Sequence, residues 1–288
     1  MLVLSRAEVE ELLDLDALID ALARAHEELS AGAVSMPPRI AAFAGDAGLL
    51  GAMPAYLPSA GLGCKLVSLF PGNVDRPTHQ AEIVIFDPEN GSPAAVMDGT
   101  YITAMRTAAA AALSARLLAR EDARVLAIVG TGVQSVAAQE MFPRVRDFDE
   151  IRVAGRGEVE DAVRGADVVH CATHSPEPVV RAEWLSPGAH VSSVGYNAPG
   201  SEVDPAIVAR ADVICIESRD SAFAPPPAGA PEVTGIDPGR TVELGELVAG
   251  TRPGRTSADE LTLYKSVGVA VQDLAAAALV LAAAEART

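Results

Sequence analysis

Lysine is nearly missing from this chain. Of 22 basic residues among 288, only Lys65 and Lys265 are lysines and the rest are arginine. A general drift from lysine to arginine leaves those two positions unexplained, and lysine is the one of the pair that titrates readily when buried. Cysteine is sparse as well. Cys64, Cys171 and Cys215 form an odd set without a CxxC pair, which excludes a disulfide framework and a thiolate zinc site. Positive charge is outnumbered by 39 acids, for a formal net charge of −17. Such a chain is repelled by phosphate backbones and anionic membrane surfaces, so no nucleic-acid partner is expected. The longest apolar run, Leu274 to Ala284, falls short of the ~20 residues of a membrane span. The start, MLVLSRAEVEEL, carries an arginine and three acids where a secretion signal needs an apolar core. These absences predict a cytoplasmic protein with no membrane partner.

What is present describes a folded core. Apolar residues make up 49% of the chain against 21% charged ones, which excludes intrinsic disorder. Length over ~150 gives about two domains. Residues 6 to 31 repeat apolar side chains at helical spacing, and Ser5 with Glu8 fits a capping box. Short segments follow at Arg39 to Phe43, Leu49 to Tyr56, Cys64 to Phe70 and Ala81 to Asp87. Their Gly/Pro punctuation predicts an antiparallel sheet, with a turn at Asp87 to Gly91. Ile102 to Ala119 reads as a helix. From Arg124 the rhythm changes to compact, mostly β-branched runs: Arg124 to Val129, Ile151 to Val153, Asp167 to Ala172, His190 to Val194 and Asp212 to Ile216. Runs of this kind belong to strands buried on both faces of a parallel sheet. A last helix is expected over Ser266 to Glu285.

The sharpest local motif is VLAIVGTGVQSVAAQ, a strand that meets Gly130 and Gly132 and then a helix. Gly130 allows the tight turn, and Gly132 lets backbone N–H groups approach a pyrophosphate at the helix N-terminus. The second strand closes on Gly155-Arg156 rather than on an acid. An acid there binds the ribose hydroxyls of NAD and an arginine accommodates the extra phosphate of NADP, so the pattern favours NADP(H) over NAD(H). Thr173 and Ser175 follow the strand at Asp167 to Ala172, where polar contact with the nicotinamide ribose is expected. His170 and His174 have i, i+4 spacing, but on a strand they do not converge, so no metal site is expected. No GxSxG elbow supports Ser-His-Asp hydrolysis. In the N-terminal half, Arg39, Lys65 and Arg106 stand in apolar surroundings. Isolated charges of that kind often snorkel to the surface. As a trio they suit a carboxylate-binding pocket, with arginine supplying bidentate geometry and lysine a titratable proton.

Several segments together resemble the ornithine cyclodeaminase/mu-crystallin family. They are MPPR ending at Arg39, Lys65, the stretch Thr78 to Ala119 containing MRTAA, GTGVQS from Gly130, and LYKSVGVAVQDLA from Leu263. The resemblance covers nearly the whole chain and implies an α/β protein. It divides into a discontinuous α+β substrate and dimerisation domain, residues 1–118 completed by a C-terminal helix 262–288, and a shortened Rossmann-type NAD(P)-binding domain, residues 119–261. The active site is expected in the cleft between them, in a homodimer. The family includes ornithine cyclodeaminase, alanine dehydrogenase, ketimine and pyrroline-2-carboxylate reductases and the mu-crystallins, so a small amino or imino acid is the implied substrate. Arg39, Lys65 and Arg106 match the positions that hold the substrate carboxylate, and Lys65 is the implied proton donor. Gln80 is assigned to the substrate and nicotinamide end. Thr107, Gly130, Gly132, Val133, Gln134, Arg156 and Ser266 are assigned to the cofactor.

Two departures from the family pattern bear on function. Cyclodeaminases carry an aspartate where this chain has Asn197, and an amide cannot take a proton. The run from Arg156 to Ala166-Asp167 is also short by roughly one βα unit, on the order of 25 residues, beside the expected adenosine pocket. Three readings follow. The leading one is an NAD(P)H-dependent reductase of a small 2-imino or 2-oxo acid. The others are an amino-acid cyclodeaminase with internally recycled NAD and a non-catalytic binding protein of the mu-crystallin kind. Lys265, ahead of Ser266, is expected near the start of the last helix or facing the cofactor phosphates.

Overall fold

The structure, a computed structural model, describes residues 1–195, 200–225 and 228–287. Its elements in chain order begin with β1 (Leu2–Leu4), α1 (Arg6–Leu12), α2 (Leu15–Ser30), β2 (Ile40–Phe43), β3 (Leu49–Leu57), β4 (Gly61–Leu69), β5 (His79–Phe86), β6 (Pro93–Asp98) and α3 (Gly99–Leu118). They continue with β7 (Val125–Val129), α4 (Val133–Met141), β8 (Glu150–Ala154), α5 (Val159–Val163), β9 (Val168–Cys171), β10 (His190–Ser193), α6 (Pro205–Arg210), β11 (Val213–Ile216) and α7 (Arg219–Ala222). The last are β12 (Thr241–Glu243), α8 (Leu244–Val248), β13 (Thr262–Lys265) and α9 (Ala270–Glu285). The chain divides into two units, Met1–Arg106 with Val269–Thr288, and Thr107–Gly268.

In the first unit, the helical pattern of residues 6 to 31 is two helices. Asp14 breaks it by accepting from the backbone N–H of Asp16 and Ala17 at 2.9 and 3.0 Å, which starts α2 afresh. The sheet runs β1-β6-β5-β4-β3-β2. Strands β2 to β6 pair antiparallel, as the sequence predicts, while β1 adds a parallel edge on β6. Strands β1 and β6 have no sequence-level signal in our reading; β1 is three residues long and β6 opens on a proline. Helix α9 packs on α2 and on β3, β4 and β5. Its close seat depends on Gly63, where a Cβ would stand 2.6 Å from Val84 O and 2.7 Å from Leu274 Cδ2. The other face of the sheet is apolar and open: Ile40, Leu50, Tyr56, Leu62 and Leu66 are all exposed.

The second unit is a seven-stranded parallel sheet, ordered β12-β11-β13-β10-β9-β7-β8. The doubly wound parallel sheet expected from the β-branched runs is therefore present. Strand β7 sits at the reversal, with β8 alone on one side and five strands on the other. The C-terminal segment corrects the sequence reading. Residues 262–265 are not helical; they form β13, paired with β10 and β11 and buried on both faces. Gly268 at φ +69° interrupts the chain before α9 can begin at Ala270.

The tight seat of α9 gives a stability prediction. Gly63→Ala forces overpacking against backbone and core atoms and should cost about 1–3 kcal/mol. Gly72→Ala, where a Cβ meets nothing within 4 Å, should stay within about 0.5 kcal/mol of wild type. Thermal or urea unfolding of both variants checks this, and an unshifted Gly63→Ala would refute it.

Candidate active site

In the first unit, β4 presents Lys65 on its covered face, α3 presents Arg106 and α9 presents Asp273. All three are buried, with Lys65 2% exposed and Asp273 fully enclosed. Lys65 Nζ lies 2.8 Å from Asp273 Oδ2, and Arg106 Nε donates to Asp273 Oδ1 at 2.9 Å. Two cations thus share one carboxylate. Arg106 Nη1 also donates to Gln272 Oε1 at 2.8 Å, and the Gln272 amide nitrogen stands 3.0 Å from His26 Nε2. That distance makes the His26 nitrogen the acceptor, so the amide is held at both ends.

This arrangement sets the protonation of Lys65. Burial pushes its pKa down from 10.5, the charges of Arg106 and Arg39 push the same way, and Asp273 opposes them, leaving it at about 8. Enclosure is the larger cause, and the flanking arginines add to it. An ammonium carries three N–H donors. Among the described residues its polar partner is Asp273, so donor capacity remains for a bound molecule. Burial and the same cations hold His79 neutral, with a pKa of about 4. Asp273 itself is kept below the usual carboxylate range by Arg106 and Lys65 against its burial.

The structure brings Lys65 and Arg106 together on Asp273, and the charge of Arg39 acts on Lys65. It does not bring Gln80 to them. Along β5, His79, Ala81 and Ile83 point to the covered face, and Gln80 is exposed on the opposite one. His79 is the side chain from that segment whose environment Lys65 and Arg106 control. Sequence reasoning missed Asp273, Gln272 and His79. The available signal was an amide-acid pair, Gln272-Asp273, inside an otherwise apolar helix.

In the second unit, the β7–α4 turn has the form of a phosphate cradle. Gly130 adopts φ +123°, and a Cβ there would stand 2.4 Å from Ala172 O. Gly132 is the N-cap of α4, has no capping side chain, and opens onto free space. Val133 is 68% exposed beside it. Gln134 Oε1 and Ser135 Oγ are buried without a hydrogen-bond partner at this helix start. Bare N–H groups, the open approach at Gly132 and the unpaired Ser135 hydroxyl all fit a dinucleotide pyrophosphate.

The ends of the neighbouring strands are tied by two buried carboxylates. Glu202 accepts from Thr173 N–H and Oγ, at 2.5 and 2.8 Å, and from Ser193 Oγ and Gly195 N–H, at 2.7 and 2.8 Å. Glu217 accepts from Ser266 Oγ at 2.5 Å, Val267 N–H at 2.8 Å, Gly268 N–H at 3.0 Å and Tyr264 O–H at 3.2 Å. The hydroxyls of Thr173 and Ser266 are thus engaged by the protein, and Ser175 closes its own turn on Glu177 O at 2.7 Å. Thr107 is buried in α3, and Arg156 is exposed after β8. Lys265 corrects its expected position. It is not at a helix start but at the end of β13, fully enclosed, donating to Gly195 O at 2.6 Å and Ser193 Oγ at 3.1 Å and paired with Glu232 at 3.1 Å. His170 is a core residue bonded to Ser192 Oγ at 2.9 Å, and burial lowers its pKa to about 3. Asn197 lies outside the described residues.

Comparison with known proteins agrees with this anatomy. The chain is 38% identical over 273 residues to ketimine reductase mu-crystallin of Mus musculus, covering 86% of this chain and 85% of the relative. Two solved structures superpose with a TM-score of 0.91 at 32% identity over 100% of this chain. One is Δ1-pyrroline-2-carboxylate reductase of Thermococcus litoralis in complex with NADH and L-proline, covered to 98%. The other is an archaeal alanine dehydrogenase dimer with bound NAD, covered to 97%. The family model matches in two stretches, residues 1–159 and 155–287, which meet just past β8. This chain belongs to the ornithine cyclodeaminase/mu-crystallin family.

Proposed function

We propose that the protein is an NAD(P)H-dependent reductase of a small 2-imino acid, taken up as such or formed from a 2-oxo acid and ammonia with loss of water, giving an amino acid. The observation that carries this reading is Lys65: buried, paired with one carboxylate, and poised at about pH 8 among arginines. The relatives that are a ketimine reductase, a pyrroline-2-carboxylate reductase and an alanine dehydrogenase support it. Arg106 and Arg39 supply fixed positive charge for a substrate carboxylate. Arg106 is oriented for that task by Asp273 and Gln272. A bound nicotinamide supplies the hydride for the imine carbon. Lys65 as the ammonium donates its proton to the imine nitrogen, so the C=N bond is reduced to an amine and Lys65 is left neutral. Asp273 holds that proton in place until it is needed, because removing its charge would release the lysine to its desolvation. The turn Gly130 to Ser135 would hold the pyrophosphate. Arg156, with no acid at the end of β8, admits the 2′-phosphate, so we propose that both NADH and NADPH serve, with NADPH favoured a few-fold.

We further propose that the open apolar face of the first sheet joins two copies of the chain. Ile40, Leu50, Tyr56, Leu62 and Leu66 would otherwise stay in water, and the alanine dehydrogenase neighbour is a dimer.

Two predictions test these readings. In reduction of a cyclic imino acid, kcat/KM should be highest below about pH 8 and fall above it, because the proton donor is the ammonium. Lys65→Ala should lose that limb and about 10²–10⁴ of the rate. Asp273→Asn removes the charge that raises the lysine, so its limb should move to lower pH. A pH profile of NADPH oxidation measures all three, and unchanged turnover by Lys65→Ala would remove the proposed mechanism. In size-exclusion chromatography with light scattering, the wild type should run at twice the 29.6 kDa chain mass. Leu50→Glu should run as a monomer; a variant that stays dimeric would exclude this face as the interface.

A further inference from the structure

The two sides of the parallel sheet are unequal. Counting outward from β7, the side of β9, β10, β13, β11 and β12 is long, whereas the other side stops at β8. In a doubly wound dinucleotide fold each side serves one mononucleotide half. The residue closing the second strand reads the 2′ position of the adenosine ribose, so the short side is the adenosine side. From Ala154 the chain turns through Gly155-Arg156-Gly157, makes the five-residue α5 and enters β9, so β8 stays an edge. The two stretches of the family match meet at residues 155–159, in this same turn.

The cover of β8 is one-sided too. Arg152 turns toward α5 and donates to Ala162 O at 3.2 Å and Arg164 O at 2.9 Å. On the opposite face Ile151 and Val153 are 38% and 41% exposed. Strands of parallel sheets are ordinarily covered on both faces. Here a β-branched pair on the adenosine side faces water. At the ribose position stands an exposed Arg156 between two glycines, and the first carboxylate after β8 is the exposed Glu158. On the long side, by contrast, Glu202 and Glu217 hold the first backbone N–H groups beyond the strand ends, those of Thr173, Gly195 and Val267, and the pyrophosphate turn is complete.

From this asymmetry, and resting on the reductase reading above, we infer that the cofactor is recognised by its nicotinamide mononucleotide half. The adenosine half is a weakly held tail, and reduced nicotinamide mononucleotide is itself a ligand of the site. The pyrophosphate turn and the held strand ends of the long side face what that molecule offers: a nicotinamide, a ribose and a phosphate.

Isothermal titration calorimetry on the full chain tests this with NADH, NADPH, reduced nicotinamide mononucleotide and ADP-ribose. The expected result is a Kd for the mononucleotide within tenfold of that for NADH, and tighter than that for ADP-ribose, which presents the adenosine half, the pyrophosphate and the second ribose without the nicotinamide. A mononucleotide more than tenfold weaker than NADH, or no tighter than ADP-ribose, overturns the inference while leaving the reductase reading intact. Failure of all four to bind overturns both.

Discussion

The carboxylate of Asp273 is the group on which the first unit depends. It comes from the far end of the chain, 167 residues from Arg106, and lies enclosed with two cations around it. Without it, two buried positive charges would lose the anion that offsets their desolvation. Breaking a buried pair by deleting one partner costs about 3–5 kcal/mol. The same carboxylate opposes the burial that pulls the pKa of Lys65 down toward 8. Folding and protonation are therefore coupled through one side chain, and what seats α9 also seats the charge. Gly63 matters for this reason. By letting Leu274 approach the sheet it brings the neighbouring Asp273 to β4.

Much of the fold was legible because its signals are local. Gly/Pro punctuation marks β3 and β4, β-branched runs mark the parallel strands, and the Gly130-Thr131-Gly132 turn lies between a strand and a helix as its spacing requires. Where legibility failed, the cause was short range against long. Strand β13 is four residues leading into an apolar helix, and only pairing with β10 and β11 makes it extended. Strand β1 is three residues whose partner, β6, lies some ninety positions away in sequence. The site shows a different asymmetry. Its cations stood out because lysine is scarce, whereas Asp273, Glu202 and Glu217 are three among 39 acids and have no compositional contrast. Gln80 was misjudged by one residue of strand parity. A period of two puts His79 on the covered face and its neighbour on the other.

In the second unit the buried acids do for the loops what Asp273 does for the cations. The Glu202 and Glu217 carboxylates collect backbone N–H groups of Thr173, Gly195, Val267 and Gly268. Those groups follow β9, β10 and β13, the strand ends where a doubly wound fold binds its ligand. With these four N–H groups held by internal acceptors, the backbone at those strand ends need not be ordered by a cofactor, which lowers the cost of binding. This also explains why the hydroxyls of Thr173, expected at the nicotinamide ribose, and of Ser266, expected at the cofactor, are engaged within the protein.

The two lysines show how burial alone fails to mark a reacting group. Both are enclosed and both pair with a carboxylate. Lys265 has an acceptor for each of its three donors: Gly195 O, Ser193 Oγ and Glu232. It binds the ends of β10 and β13 to the segment carrying Glu232, and nothing is left over for a substrate. Lys65 has Asp273 and, around it, two arginines that make its proton easier to lose. Unspent donor capacity and excess positive charge separate a lysine that can pass on a proton from one that holds a structure together. Neither property is visible in composition. Both follow from the return of α9 to the sheet, which places one acid beside two cations and leaves the lysine's remaining donors open.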